Sequence, residues 1–317
     1  MVTETKIVFG PVPSRRLGRS LGVNNIPPKV CTYSCVYCQL GRTNRMRARR
    51  QPFYEPEEVV ETVRRQVNAA RDAGEPIDYL AFVPDGEPTL DVNLGRTIGA
   101  LKSLEIPIAV ITNGSMLDHS SVREDLRETD WVSVKVDAVD EECWRRIDRP
   151  HRTLSLDSLR EGMKRFARDF PGALQTETML VEGLNDGEDA LRATTEFLAE
   201  LEPETAYISI PTRPPAEAWA RGPGETVLTR AFGIVSELLP RVEVLSGYEG
   251  DAFASSGDAR EDLLSITAVH PMRESAVLRT LEAAGSDWSV VEELLASGEL
   301  LEVEYDNHRY YLRPVGA

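Results

Sequence analysis

The chain has 317 residues, 41% of them hydrophobic, and a net charge of −16; that is apolar content enough for one large domain plus a small one, and an acidic balance that argues against wholesale coating of nucleic acid. No run is long and apolar enough to span a bilayer, and the N-terminal Met-Val-Thr-Glu-Thr-Lys lacks the apolar core of a signal peptide, so a cytoplasmic protein is expected. The charge is uneven: up to Tyr54 ten Lys/Arg stand against one acid, a net of +9, which leaves −25 for the remainder.

Taken in order, Lys6 to Asn25 holds a short apolar stretch and then Gly-Pro-Val-Pro-Ser-Arg-Arg-Leu-Gly, whose prolines and glycines predict a loop. A first strand is expected from Arg19 to Asn25. Next comes Cys31-Thr-Tyr-Ser-Cys35-Val-Tyr-Cys38, which holds three of the four cysteines. Thiolates hold iron–sulfur clusters, and this spacing lets one short loop serve three corners of a cubane. The fourth iron then has no ligand from the loop, since Cys143 is distant in sequence, and an open iron can bind a substrate or cofactor. Structural zinc would want four closed ligands in paired clusters, whereas His119, His151, His270 and His308 are scattered; a disulfide would need an oxidising compartment. The loop lies inside the basic region, which suits either a solvated face or an anionic visitor: the phosphate or carboxylate of a substrate, or an acidic electron-donor protein.

After the arginine run Arg42 to Arg50, Glu55-Pro56-Glu57-Glu58 opens a helix that ends at Gly74. Strands are predicted at Tyr79–Val83, Pro107–Thr112, Trp131–Val136, Gln175–Val181 and Ala206–Ile210, with helices at Leu94–Leu104, Ser120–Glu128, Leu156–Asp169, Glu188–Glu200 and Thr226–Leu238. Repeated strand–helix units call for a parallel sheet with helices outside, and six strands predict a curved, partly open barrel rather than a closed eight-stranded one. Polar residues recur where these strands end: Asp85-Gly86-Glu87, Thr112-Asn113-Gly114, Lys135 and Asp137, Glu182-Gly183, Thr212-Arg213. Active sites of parallel α/β folds gather at that end. A further strand is expected at Val242–Leu245, then a linker from Ser246 to Asp258. Helices at Glu274–Ala284 and Ser286–Ser297, with a hairpin of Leu300–Glu304 and His308–Leu312, predict a small winged-helix-like module. The domain division is thus 1–250, a linker over 251–270, and 271–317. From Pro271 onward four arginines face nine acids, so peptide or protein recognition, or packing on the main domain, is expected ahead of DNA binding.

The Cys-x3-Cys-x2-Cys loop with Tyr37 before its last cysteine, set after the first strand of a six-unit α/β array, resembles the radical S-adenosylmethionine (SAM) superfamily over residues 15–250. The resemblance implies a partial (βα)6 barrel and a [4Fe–4S] cluster on Cys31, Cys35 and Cys38. SAM would chelate the open iron through its amino and carboxylate groups and be cleaved by one electron to methionine and a 5′-deoxyadenosyl radical that takes hydrogen from a substrate. Gly86-Glu87 is similar to the Gly-Gly-Glu element that receives the SAM ammonium, with Asp85 in place of the first glycine. On the same footing Tyr37 would lie near the adenine, Asn113 with Ser133 or Lys135 would meet the SAM carboxylate and ribose, and Met179 to Val181 would wall the adenine. Arg15, Arg16 and Arg213 are candidates for an anionic substrate, since guanidinium pairs bidentately with carboxylate or phosphate.

Gly-Pro-Val-Pro-Ser-Arg-Arg-Leu-Gly, Cys-Val-Tyr-Cys-Gln-Leu-Gly, Gly-Glu-Pro-Thr-Leu and Ser-Ile-Thr-Ala-Val-His-Pro-Met-Arg are similar to an uncharacterised prokaryotic group related to wybutosine-type tRNA-modifying synthases. Those synthases use a second cluster held by additional cysteines, while this chain has only Cys143 to spare. The expectation is a single-cluster radical SAM enzyme that abstracts hydrogen from an unidentified RNA, peptide or small molecule, fed by an acidic donor such as flavodoxin or ferredoxin. The alternatives are a glycyl-radical activating enzyme and a non-catalytic iron–sulfur redox sensor that reads through the winged-helix-like module. A sensor needs no SAM pocket, so Gly86-Glu87 tells against the last.

Overall fold

Runs of alternating side chains and amphipathic stretches resolve into a sheet wrapped by helices. The computed structural model describes residues 7–83, 85–246, 257–269 and 271–314. Its central sheet has eight strands, hydrogen-bonded in chain order: β1 (Val8–Ser14), β2 (Gly18–Val23), β3 (Tyr79–Phe82), β4 (Ile108–Thr112), β5 (Trp131–Lys135), β6 (Ala173–Met179), β7 (Thr205–Ser209) and β8 (Val242–Leu245). β1 runs antiparallel to β2, and every later pair is parallel.

Strand alternation sorts the two faces. In β5, Val132 and Val134 pack in the main core, while Trp131 joins Leu17, Ala81, Ala109, Tyr207 and Leu245 in a separate cluster. Side chains from β3, β4, β5, β7 and β8 can meet in one cluster only if the sheet curves around it. That interior faces the strand ends where the cysteine loop sits.

The outer face is covered by α1 (Pro56–Asp72), α2 (Leu94–Leu101) and α3 (Ser120–Leu126); α4 (Glu141–Ile147) packs on Tyr33 of the cysteine loop, and α5 (Leu156–Asp169), α6 (Glu188–Leu201) and α7 (Glu225–Leu238) continue the outer layer. α1 shows why: Val59, Val60, Val63, Val67 and Ala70 recur at helical spacing and are buried. Pro56 sits in the first turn with Glu57 and Glu58 behind it, and Gly74 at φ +72° lies just beyond the end.

Three regions differ from the sequence expectation. The predicted loop before Arg19 is the edge strand β1, whose register shifts between Phe9 and Val12; an edge position tolerates Pro11 and Pro13 because no neighbour requires their missing N–H groups. α4 was not predicted; Asp140 caps it, its Oδ1 accepting from Glu142 N at 2.9 Å and Cys143 N at 3.0 Å. The linker's middle, 247–256, lies outside the described residues, but its far end is a helix, α8 (Ala259–Val269). Ala259, Leu263 and Ile266 are buried there with residues of α9 (Glu274–Ala283) and α10 (Ser289–Ala296).

The strand β9 (Met272–Arg273) pairs with the hairpin β10 (Leu301–Tyr305) and β11 (His308–Leu312) in the order β9-β11-β10. Helix, strand, two helices and hairpin make a winged-helix arrangement. Asp306 and Asn307, both at positive φ, form the two-residue turn that the hairpin needs. The wing packs on the barrel: Tyr305 and Tyr310 hydroxyls donate to Pro211 O (3.1 Å) and Thr212 O (2.9 Å). Among the described residues no helix is long and apolar enough to cross a membrane.

Candidate active site

The cysteine loop carries little regular structure, so its shape depends on what holds its backbone. Three segments do. Residues after α4 accept from it and donate to it: Ser34 N to Asp148 O (3.0 Å), Val36 N to Ile147 O (2.9 Å) and His151 N to Thr32 O (2.8 Å). The stretch after the loop returns as a short ladder, with Arg47 N donating to Cys31 O at 2.9 Å. From the β7–α7 connection, Glu217 N donates to Val36 O (3.0 Å), and the Glu217 carboxylate clamps Arg42 from two nitrogens (2.8 and 3.0 Å) and pairs with Arg149.

Cys31, Cys35 and Cys38 line one cavity of about 320 Å³ at the strand ends, together with Tyr37, Gly86, Asp85, Lys135, Glu177, Met179, Ser209 and the cations Arg15, Arg16, Lys29 and Arg213. Burial pushes all three thiols up, Cys31 to about 12. A cation that binds them must therefore displace protons. Burial also lifts Asp85 to about 7, only partly offset by Lys29.

Below the thiols lies a buried charged tier. Burial by itself would raise Glu177, but Arg16 and Lys135, with hydrogen bonds from Ser209 (2.9 Å) and Lys135 (3.3 Å), hold its carboxyl well below the usual range. Burial would lower Lys135, yet Asp137 at 3.9 Å and Glu177 keep it protonated above its ordinary value. Its ammonium lies 4.8 Å from the centre of the Tyr37 ring, and the Tyr37 hydroxyl donates to Asp137.

Of the predicted site residues, Tyr37, Gly86, Lys135, Met179, Arg15, Arg16 and Arg213 share the cavity with the three cysteines. Glu87 is elsewhere. It is 1% exposed and accepts hydrogen bonds from Thr89 N (3.0 Å), Thr89 Oγ1, Thr112 Oγ1 (2.6 Å) and Asn113 N (2.8 Å), so its carboxylate organises the turn behind the wall. Of the two acids in that turn, Asp85 and not Glu87 lines the cavity. Asn113 ties that turn to the cysteine loop, donating to Thr32 Oγ1 (2.7 Å) and Cys31 Sγ (3.6 Å). Ser133 is fully buried within the barrel, its hydroxyl without a hydrogen-bond partner among the described residues, and Val181 packs with Val36 and Ala220 under the loop. Neither lines the cavity. Sequence reasoning passed over Lys29, Glu177 and Ser209; the charged Glu177 in the middle of a strand was the available signal.

Among the described residues no three Cys, His, Asp or Glu side chains converge at the spacing one metal ion needs. The three thiols line the same cavity without converging on one point, which suits the corners of a multinuclear cluster rather than a mononuclear zinc site. Cys143 stands apart, its Sγ 3.5 Å from Leu184 O in an apolar cluster with Ile147 and Trp144. Gly86 lies tight against the backbone just before Cys31, where a Cβ would lie 2.0 Å from Val30 O. Gly86→Ala is thus expected to cost about 3 kcal/mol, the upper end of overpacking, read as a lower urea midpoint; an unchanged midpoint would mean that the turn relaxes freely.

A model of the radical SAM superfamily matches residues 25–194. A UPF0026 protein from Methanocaldococcus jannaschii is 42% identical over 311 residues, covering 98% of this chain and 96% of its own. Among solved structures, TYW1 with a lysine-pyruvate adduct bound aligns with a TM-score of 0.53 at 15% identity, over 70% of this chain and 74% of that one. A radical SAM methyltransferase from Sphaerobacter thermophilus aligns at 0.52 and 17%, over 72% and 66%. At such identities these two share the fold.

Proposed function

This chain belongs to the radical SAM superfamily, and within it to the UPF0026 family, and on that premise we propose that it acts in the cytoplasm on an anionic substrate, RNA, peptide or small molecule, held at the cationic mouth of the thiol-lined cavity. It is a radical SAM enzyme, and members of the superfamily use a [4Fe–4S] cluster and SAM. Bound there, the cluster and SAM supply one-electron chemistry that ends in hydrogen abstraction.

The chain's own residues divide the remaining work. Cys31, Cys35 and Cys38 would hold the cluster. Asp85, buried and raised, gains a counterion when an ammonium group comes beside it. Arg16, Glu177, Lys135 and Ser209 line the same cavity with their charges already paired, which leaves them little freedom to rearrange. The observation that carries the substrate class is that Arg15, Lys29 and Arg213 line the same cavity: guanidinium and ammonium groups around a half-enclosed space favour carboxylate or phosphate. Arg213 Nη1 donates to Gln39 Oε1 at 2.6 Å, and the preceding Pro211 and Thr212 receive the wing tyrosines, so the C-terminal module helps to place that arginine.

The test uses anaerobically reconstituted protein with extract from cells grown in heavy water, fractionated on an anion exchanger. Deuterium is expected in 5′-deoxyadenosine only with retained fractions, and Arg213→Glu is expected to lose that transfer while substrate-free SAM cleavage persists. Transfer from the unretained fraction would overturn an anionic substrate. Absence of 5′-deoxyadenosine under every reducing condition would count against the enzyme itself.

A further inference from the structure

The run from Arg45 to Arg50 splits by face. Arg45, Arg47 and Arg49 are exposed, while Met46, Ala48 and Arg50 turn inward. The inward Arg50 is fully engaged, pairing with Asp125 and donating to Thr89 O (2.9 Å) and Asp91 O (2.6 Å). The three outward side chains have no ion-pair or hydrogen-bond partner among the described residues, in a chain whose 52 acids outnumber its 36 Lys/Arg. Arg45–Met46 is a short strand and Arg49 sits at a bend; alternate residues of extended chain lie roughly 7 Å apart, so the guanidiniums of Arg45 and Arg47 are spread along the chain, with Arg49 beyond them. None of them lines the thiol cavity. Yet the backbone beneath them is joined to the cysteine loop: Arg45 N donates to Lys29 O (3.3 Å) and Arg47 N to Cys31 O (2.9 Å).

We propose that Arg45, Arg47 and Arg49 are the docking face for a small acidic protein that delivers electrons to the cluster through the Cys31 edge of the loop. This rests on the reading of Cys31, Cys35 and Cys38 as cluster ligands. A substrate inside the cavity cannot use these arginines, so this face serves something that stays outside, and one hydrogen bond separates it from the main chain of a ligand residue. Guanidinium forks suit a carboxylate-rich partner. The acidic body of the chain opposes such a partner only at range, since charges beyond about 8 Å are largely screened at physiological salt. In the step itself one electron leaves the reduced donor and enters the cluster; no bond of the chain breaks and no proton moves.

Reduced flavodoxin is the probe, with the reconstituted protein, a triple Arg→Glu variant (R45E/R47E/R49E) and a triple Arg→Lys variant. Charge reversal is expected to slow flavodoxin-driven cluster reduction about tenfold or more, and to weaken binding of oxidised flavodoxin correspondingly, while dithionite reduces all three proteins alike. The Lys variant is expected to stay close to the unmutated protein. Unchanged rate and affinity on charge reversal would overturn the proposal, as would equal loss in the Lys and Glu variants. An unchanged flavodoxin rate with lost binding of a single-stranded RNA oligonucleotide would give the face to nucleic acid instead. Should no cluster assemble, the affinity for oxidised flavodoxin still decides the docking face, and the ligand reading falls separately.

Discussion

Cys35→Ala is expected to abolish cluster assembly, leaving well under one of about four irons per chain after anaerobic reconstitution, whereas Cys143→Ala keeps the full complement. The reason is geometric. Cys35 lines the cavity with Cys31 and Cys38, its thiol pushed up by burial and by Asp148, whose Oδ1 lies 3.4 Å away. Two remaining thiolates cannot cap three corners of a cubane. Cys143 has its own thiol raised to about 12 by burial in an apolar cluster and contacts Leu184 O instead. Iron and sulfide assay with the reduced electron paramagnetic resonance signal reads both variants. Iron lost from Cys143→Ala would make that residue a fourth ligand and remove the open coordination site on which SAM binding depends.

Glu177→Ala is expected to destabilise the protein by about 3 kcal/mol, because it takes the paired carboxylate from buried Arg16 and one of two counterions from Lys135, which keeps Asp137. Arg16 and Lys135 both pair with this carboxylate, and side-chain exposures are 15%, 16% and 9% for Arg16, Lys135 and Glu177. The pH dependence has a definite sign. The folded-state pKa of Glu177 is depressed below the unfolded value of about 4.3, so the unfolded chain takes up the proton first. The stabilisation is therefore complete above about pH 5 and is lost as pH falls through and below 4.3 toward the folded value. Urea unfolding of the two proteins across pH 3 to 8 reads this as a gap that narrows in acid. A gap under roughly 1 kcal/mol at neutral pH would mean that water already neutralises the tier.

Local patterns in the chain account for much of this architecture. Helix α5 was expected at Leu156–Asp169 and occurs at those residues, since an apolar stripe at helical spacing and a Ser155 cap act over one or two turns. The hairpin turn at Asp306-Asn307 was legible for the same reason. β1 was not, because prolines and glycines forbid a central strand but not an edge one, and being at an edge is a property of the whole sheet. α8 was hidden by the Ser/Gly/Asp-rich run before it, and its apolar face has meaning only against α9 and α10.

In the site, the three thiols were legible because one loop of eight residues carries them all. Glu87 does not line the cavity: resemblance makes it a ligand to an incoming ammonium, whereas in the structure its carboxylate accepts from Thr89, Thr112 and Asn113. Glu177 was passed over because its partners Arg16, Lys135 and Ser209 come from three other segments.

The amino-acid sequence by itself determined the three-cysteine loop, the alternation of strands and helices and the basic surroundings of Cys31–Cys38, because each rests on residue type and short spacing. Only the tertiary structure decided which acids face the cavity, which cations are already neutralised and which arginines stand outside with no partner among the described residues. Charge pairing acts between atoms a few ångströms apart in space, and here those atoms lie up to 175 residues apart along the chain.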